Sequence, residues 1–259
     1  MTTWEALFLG IIQGLTEFLP VSSSGHLEIS QYLLGFNHLH QYVLFNLICH
    51  LGTLCAIIWI FWSSIKQVLS TPTRLLQIGL ATLPLFPLVF ILKPLKAVFD
   101  QPAYLGLCYL VSAGFIFMGA RYSLKKPSLS QKRTWKDCLY IGVFQAIAIF
   151  PGISRSGATI SAAQVLGWSK EEALNFSFLL AIPAILGATI LEGFLYLITP
   201  STERVPVDIL QFFIGFLGSF VVGCFAFHLL RKCMIQNKWA YFGWYSLILG
   251  TVITLYFNL

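Results

Sequence analysis

Apolar residues run along this chain in long unbroken blocks, unlike the alternating or one-faced patterns of a water-soluble domain. Six stretches, Leu44–Trp62, Leu75–Leu92, Ala103–Ala120, Ala173–Leu191, Ile209–Leu230 and Trp239–Leu259, each pass 18 to 22 residues without Asp, Glu, Lys or Arg. A helix needs roughly 20 apolar residues to cross a hydrocarbon core of ~30 Å, so each block predicts a transmembrane helix. Two further apolar segments are interrupted. Ala6–Thr16 stops at Glu17 and Pro20, passes the cluster Ser22-Ser23-Ser24-Gly25 and resumes as Leu27–Phe36. The other begins near Asp137 and runs to Phe150. It breaks at Pro151-Gly152, passes Ser154-Arg155-Ser156-Gly157 and resumes as Ala158–Trp168. Arms of this length reach about 17 Å as helix, half the membrane, so each segment predicts a re-entrant helix–loop–helix hairpin.

The two hairpins also read as copies of one another. Gly10–Phe36 falls on Gly142–Trp168 without gaps, at an offset of 132 (142 − 10). Identities fall at Gly10/Gly142, Gln13/Gln145, Phe18/Phe150, Ser22/Ser154, Ser24/Ser156, Gly25/Gly157, Leu34/Leu166 and Gly35/Gly167. Chance likeness between apolar segments supplies mostly Leu, Ile and Val matches; here glycine and polar positions match, which points to duplication. Repeat one then covers 1–128 with its hairpin at 4–36, and repeat two covers 129–259 with its hairpin at 137–168. Three spans follow each hairpin, and an odd number inverts the second copy. The expected fold is an all-α integral membrane protein, one membrane domain over 1–259, with six transmembrane helices, two re-entrant hairpins and inverted-topology repeats. The hairpin tips should meet near the middle of the bilayer, where broken helices mark substrate sites and irregular backbone survives only under cover of protein or a polar cavity.

Composition agrees: 57% of residues are hydrophobic and 10% charged, against about 25% charged in soluble domains. A net charge of +6 raises a nucleic-acid partner, but the placement of the charges removes that reading. Arg121, Lys125, Lys126, Lys132, Arg133 and Lys136 fill one inter-span loop, and Arg231, Lys232 and Lys238 another. The positive-inside bias makes both cytoplasmic. Threading the spans puts Lys66 and Arg74 inside, Lys93, Lys96 and Arg204 outside, and both termini outside. The N-terminus lacks the basic region of a cleavable signal peptide, so none is expected. The six cysteines are scattered without C-x-x-C spacing, which predicts buried thiols and neither disulfides nor a metal site.

The chemistry should lie at the two breaks. Gln13 and Glu17 stand four apart on one helix face, His26 follows across the first break, and Arg155 sits between Ser154 and Ser156 in the second. Ionisable groups at membrane depth are costly and default to function; a plain Glu17–Arg155 pair would explain neither the doubled Ser/Gly clusters nor the histidine. Each cluster precedes a helix, whose free N–H groups and dipole attract anions. Ser22, Ser24, Gly25, Ser154, Ser156 and Gly157 are therefore candidate phosphate-binding residues, with Ser22 and Ser154 equally suited to N-capping. Arg155 offers bidentate recognition of phosphate. Glu17 with the amide oxygen of Gln13 offers hard ligands for Mg²⁺ or Ca²⁺. His26 can move a proton, and Ser23 could be a nucleophile that His26 activates.

The stretches Gln13-Gly14-Leu15-Thr16-Glu17-Phe18-Leu19-Pro20-Val21-Ser22-Ser23-Ser24-Gly25-His26 and Pro151-Gly152-Ile153-Ser154-Arg155-Ser156-Gly157-Ala158-Thr159 closely resemble the two signature motifs of the undecaprenyl-diphosphate phosphatase family, the bacitracin-resistance phosphatases of bacterial membranes. The likeness covers essentially the whole chain. It implies hydrolysis of undecaprenyl diphosphate to the monophosphate with a divalent metal, feeding peptidoglycan synthesis from the inner membrane, with the active site opening to the periplasm. Homodimers are compatible with it. By the same resemblance Glu17, Ser23, His26 and Arg155 match essential positions, with Ser154 and Thr159 close by. Phe45-Asn46-Leu47-Ile48-Cys49-His50-Leu51-Gly52 resembles a further family segment that often has an acidic residue where Asn46 stands. With Gln13 also neutral, Glu17 is left as the sole carboxylate of these motifs, which argues against two tightly held metals. His50 could face the site or simply pack. The alternative from another class is a polyprenyl-phosphate lipid transporter or flippase, since inverted repeats with broken helices suit transport; transport, however, needs no Ser/His/Glu/Arg set. Nothing resembles the selectivity filter of a channel.

Overall fold

The computed structural model describes residues 1–36, 42–87, 102–123, 133–198 and 208–258. The described chain is helical: α1 (Thr3–Phe18), α2 (Ser23–Leu33), α3 (Val43–Ile60), α4 (Trp62–Leu69), α5 (Pro72–Thr82), α6 (Pro102–Ser123), α7 (Trp135–Ile147), α8 (Arg155–Val165), α9 (Lys170–Ile198), α10 (Ile209–Ile235) and α11 (Ala240–Asn258). Five of these are long and apolar enough to cross a membrane: α3, α6, α9, α10 and α11. Of the expected second span, Leu75–Leu92, the described part is the 11-residue α5 and a short continuation to residue 87; the remainder, with Lys93 and Lys96, lies outside the described residues. The loop lysines Lys125, Lys126 and Lys132, and Arg204, lie outside them too. The surface suits lipid. Phe213, Leu217, Val221 and Phe225 of α10 are exposed, as are Trp244, Ile248, Val252 and Leu255 of α11, far more apolar area than a soluble monomer leaves in water.

The helices break where the apolar pattern breaks, and the local chemistry at the two breaks repeats. Thr2 caps α1 through a capping box with Glu5, and Thr134 caps α7 through the same box with Asp137. Both pairs stand 132 apart (134 − 2 and 137 − 5). The helices after the breaks, α2 and α8, start at Ser23 and Arg155 and end at Leu33 and Val165, again 132 apart. Gly35 and Gly167 follow them with φ of 81° and 79°, left-handed conformations that glycine adopts without steric cost.

Small residues bring the helices close. α1 packs mainly on α10, and α7 on α5. A Cβ on Gly10 would stand 2.7 Å from the carbonyl oxygen of Gly215, one on Gly14 2.7 Å from that of Ser219, and one on Gly142 2.5 Å from that of Ala81. Without a hydrophobic drive between helices in lipid, this backbone approach supplies the packing. Gly10→Ala is therefore expected to lower stability by about 1–3 kcal/mol, seen as a melting temperature several degrees lower in detergent. An unchanged transition would mean that α1 and α10 can part without cost.

Behind the first break Phe18, Phe61, Phe178 and Phe227 form one buried cluster. Ring centroids lie 5.4 Å apart for Phe18–Phe178, 5.0 Å for Phe61–Phe227 and 5.4 Å for Phe178–Phe227. The cluster ties the end of α1 to the α3–α4 junction, α9 and α10, and so holds Glu17, the neighbour of Phe18, in place.

Candidate active site

The two breaks meet. The Gly152 N–H donates to Ser22 Oγ (3.0 Å), the Ser156 hydroxyl reaches the Leu19 carbonyl (3.5 Å), and the Arg155 guanidinium pairs with Glu17 Oε1. Glu17 ends α1 with its side chain 4% exposed. Its other oxygen, Oε2, accepts from Ser23 Oγ at 2.5 Å and from Gln13 Nε2 at 3.0 Å, and His50 Nε2 stands 3.9 Å away. Ser23 opens α2 and is half-buried. The structure thus gathers Gln13, Glu17, Ser23 and Arg155, drawn from three helices, around one carboxylate.

Two atoms there lack partners. Arg155 Nη1 and Gln13 Oε1 are both buried without a hydrogen bond. Such orphans are costly, at roughly 1–3 kcal/mol each and more for a charged group, so each is ready for a ligand: an anion at Nη1, a cation or donor at Oε1.

The expected pairing of Ser23 with His26 is not what the structure holds. Ser23 bonds Glu17, and His26 turns to other groups. Its Nδ1 lies 2.7 Å from the Ser22 carbonyl. A carbonyl only accepts, so Nδ1 carries the proton, and the Tyr109 hydroxyl at 2.9 Å shares it as a second acceptor. Nε2 then accepts from the Tyr245 hydroxyl at 2.6 Å, and the two rings stack. The Ser22 carbonyl is the acceptor four residues before His26, the same contact that His50 makes with Asn46 and His228 with Cys224. The carboxylate therefore takes the place of the imidazole beside the candidate nucleophile.

Tyr109 and Tyr245 were not legible as site residues, because single tyrosines in apolar spans look like packing. Tyr245→Phe removes the donor to Nε2 and leaves the ring. The lost bond should lower stability by about 0.5–1.5 kcal/mol, read as a lower melting temperature in detergent. An unchanged melting temperature would mean that the His26–Tyr245 bond adds nothing to the fold.

The serine clusters differ from the expected symmetric pair of phosphate cradles. Ser154 caps α8 by accepting from the Gly157 N–H (3.0 Å), its own N–H donates to Ser112 Oγ (3.1 Å), and Ser156 lies 3.3 Å from it. Thr159 donates to the Arg155 carbonyl (2.8 Å) and meets Ser177 Oγ at 2.6 Å, buried. These hydroxyls brace the second tip. Ser22 does not cap α2; its hydroxyl serves Gly152 and lies 3.4 Å from Ser24 Oγ. The N-terminus of α2 is thus left without a side-chain cap, next to Ser23. Gly25 is needed for closeness: a Cβ there would stand 2.6 Å from the Tyr109 hydroxyl. Gly157 is less tight, with Ser154 atoms at 3.1 Å from such a Cβ. Asn46 lies aside, accepting from Gln31 Nε2 at 2.8 Å. The cysteines are free thiols, three of them buried.

Comparison with known proteins gives the family. The sequence model described as "Bacitracin resistance protein BacA" matches residues 6–252. The chain is 58% identical to the undecaprenyl-diphosphatase of Protochlamydia amoebophila, over all of both chains. It is 35% identical to the undecaprenyl-diphosphatase of Carboxydothermus hydrogenoformans, over 98% of this chain and 97% of that one. To that of Pelotomaculum thermopropionicum it is 36% identical, over 98% and 96%. With a family match across nearly its full length and full-length relatives well above 30% identity, this multi-pass membrane chain belongs to the bacitracin resistance protein BacA family.

Proposed function

We propose that this chain hydrolyses undecaprenyl diphosphate to undecaprenyl phosphate and inorganic phosphate, returning the carrier lipid to peptidoglycan synthesis and giving bacitracin resistance. The observation that carries the chemistry is Glu17 bridging Ser23 and Arg155, in a chain whose full-length relatives are named undecaprenyl-diphosphatase. In our scheme the terminal phosphate lies on the free Nη1 of Arg155 and the uncapped start of α2. Ser23 Oγ attacks phosphorus as its proton passes to Glu17. The Oγ–P bond forms, and the bond from phosphorus to the bridging oxygen breaks, releasing the lipid monophosphate. Water then attacks the phosphoserine, Glu17 returns its proton to Ser23 Oγ as the Oγ–P bond breaks, and inorganic phosphate leaves carrying the water's oxygen and protons. Fixed donors in a dry site stabilise the charge that develops. A single inversion at a chiral terminal phosphate would replace this with direct attack by water.

A divalent ion fits these residues in part. Glu17 and the unpartnered oxygen of Gln13 are hard donors suited to Mg²⁺ or Ca²⁺. Among the described residues no group of three or more His, Cys, Asp or Glu gathers, which favours one ion, held largely by substrate phosphate. Such an ion would supply charge neutralisation on the phosphate oxygens. Phosphate release by purified protein from a C55 diphosphate, with and without chelator, tests activity and metal together.

The architecture we infer is two inverted copies in the inner membrane, with six spans, two re-entrant hairpins, both termini periplasmic and a site opening to the periplasm. The caps and helix starts repeating at 132 support it, as do the mated packings of α1 on α10 and α7 on α5. Thr3 and Trp135 are equivalent, exposed positions in the two copies. Cysteines placed there, in a background without native cysteines, should label from opposite sides; labelling from one side would sink the inversion.

A further inference from the structure

His50 stands beside Glu17 with no part in the scheme above. It sits half-buried on α3. Its Nδ1 lies 2.8 Å from the Asn46 backbone carbonyl, so that nitrogen carries a proton and Nε2 holds the lone pair whenever the ring is neutral. Nε2 is 3.9 Å from Glu17 Oε2. Two acceptors face each other with no hydrogen between them. A third is close: the amide of Gln13 holds the same carboxylate oxygen through Nε2 at 3.0 Å, while its Oε1, in a fully buried residue, has no partner. Glu17 Oε2 keeps its donors Ser23 and Gln13 Nε2, but His50 Nε2 and Gln13 Oε1 have none, and a cation beside the carboxylate would serve both. Two atoms each ~2.1 Å from one ion lie roughly 3–4 Å apart, depending on the angle, which covers the observed gap. His26 cannot serve, because Ser22 and Tyr109 take its Nδ1 and Tyr245 takes its Nε2.

We propose that His50 Nε2 is a ligand of the divalent cation, completing with Glu17 and Gln13 a mixed oxygen–nitrogen site that favours first-row transition ions, with Mn²⁺ as their spectroscopic probe, over Ca²⁺. The inference rests on the cation reading given above. Its chemical basis is donor type: Ca²⁺ and Mg²⁺ take oxygen ligands, whereas imidazole suits transition ions. A ring on a transmembrane helix thereby sets which metal the hairpin holds.

The test is Mn²⁺ binding to the purified full-length protein in detergent, with methylenediphosphonate as a non-hydrolysable diphosphate. Electron spin-echo spectroscopy of the bound Mn²⁺ should show coupling to a histidine nitrogen. The coupling should be lost in His50→Gln and kept in His26→Gln. Mn²⁺ affinity should fall roughly tenfold or more in His50→Gln, at least the scale for loss of groups that merely support a ligand, with Ca²⁺ affinity little changed. Coupling to ¹⁵N-labelled histidine in the wild type reports a histidine ligand even if a variant folds poorly. Tight Mn²⁺ binding that needs Glu17 but shows no histidine coupling overturns the role of His50 and leaves the oxygen site standing. Absence of any Glu17-dependent Mn²⁺ binding overturns the cation reading itself, and His50 with it.

Discussion

Glu17→Gln is expected to slow phosphate release by on the order of a hundredfold or more, the lower end of what a positioned base contributes. The amide keeps the shape and can still hold Ser23, but it cannot take the proton. It also leaves the Arg155 guanidinium, 19% exposed, without its counter-charge. Breaking a buried pair from one side costs about 3–5 kcal/mol, so the melting temperature should drop as well. The two effects separate in a double variant. Glu17→Gln with Arg155→Met removes the stranded charge and should recover stability without recovering turnover. Added Mg²⁺ or Ca²⁺ should stimulate the single variant only weakly. Full metal-stimulated turnover by Glu17→Gln would make the carboxylate structural and return the base role to a histidine.

Arg155→Lys should lower kcat/KM by roughly 10²–10³, the range for loss of a preorganised donor to a developing oxyanion. The guanidinium divides its work: one nitrogen holds Glu17 and the other is free and buried. A lysine is a point charge that can serve one of these duties at a time. Keeping the charge should spare folding, so the variant should insert and melt near normally while turning over poorly. Burst and steady-state rates on a short-chain diphosphate would assign the loss to binding or to chemistry. Near-normal turnover would mean that charge alone suffices.

The breaks were legible because they violate a strong rule. Glu17, Pro20, Pro151 and Arg155 interrupt apolar runs that otherwise obey the membrane pattern, and the structure puts helix ends within a few residues of each. α1 runs two residues beyond the predicted stop at Thr16, through Glu17 to Phe18, since a carboxylate with three partners does not need to end a helix. The site's members were legible as residue types at a break; their partners were not. Ser22 takes φ of 67° at the start of α2, and nothing in a Ser-Ser-Ser run marks which serine takes positive φ. Tyr109, Ser112 and Tyr245 reach the hairpins from distant helices, and an isolated polar atom in an apolar span carries no periodic signal. His50 was ambiguous for the same reason. The slight break at Phe61, where α4 continues α3 beyond the expected span, has no Gly or Pro to announce it.

The packing of α1 on α10 has a consequence for how the protein is made. The first hairpin arm is complete when residue 18 leaves the ribosome, yet its principal neighbour ends at Ile235, 217 residues later (235 − 18). At roughly 5–20 residues per second, α1 waits about 10–40 s with Gly10 and Gly14, the positions that α10 covers, open. A 16-residue arm bearing a carboxylate is a poor candidate to rest in lipid alone. During synthesis it should therefore linger at the interface or inside the insertion machinery, and enter the membrane only as α10 arrives. Ribosome-stalled chains ending before residue 209 should leave α1 open to protease or thiol reagents, and chains released after residue 235 should shield it.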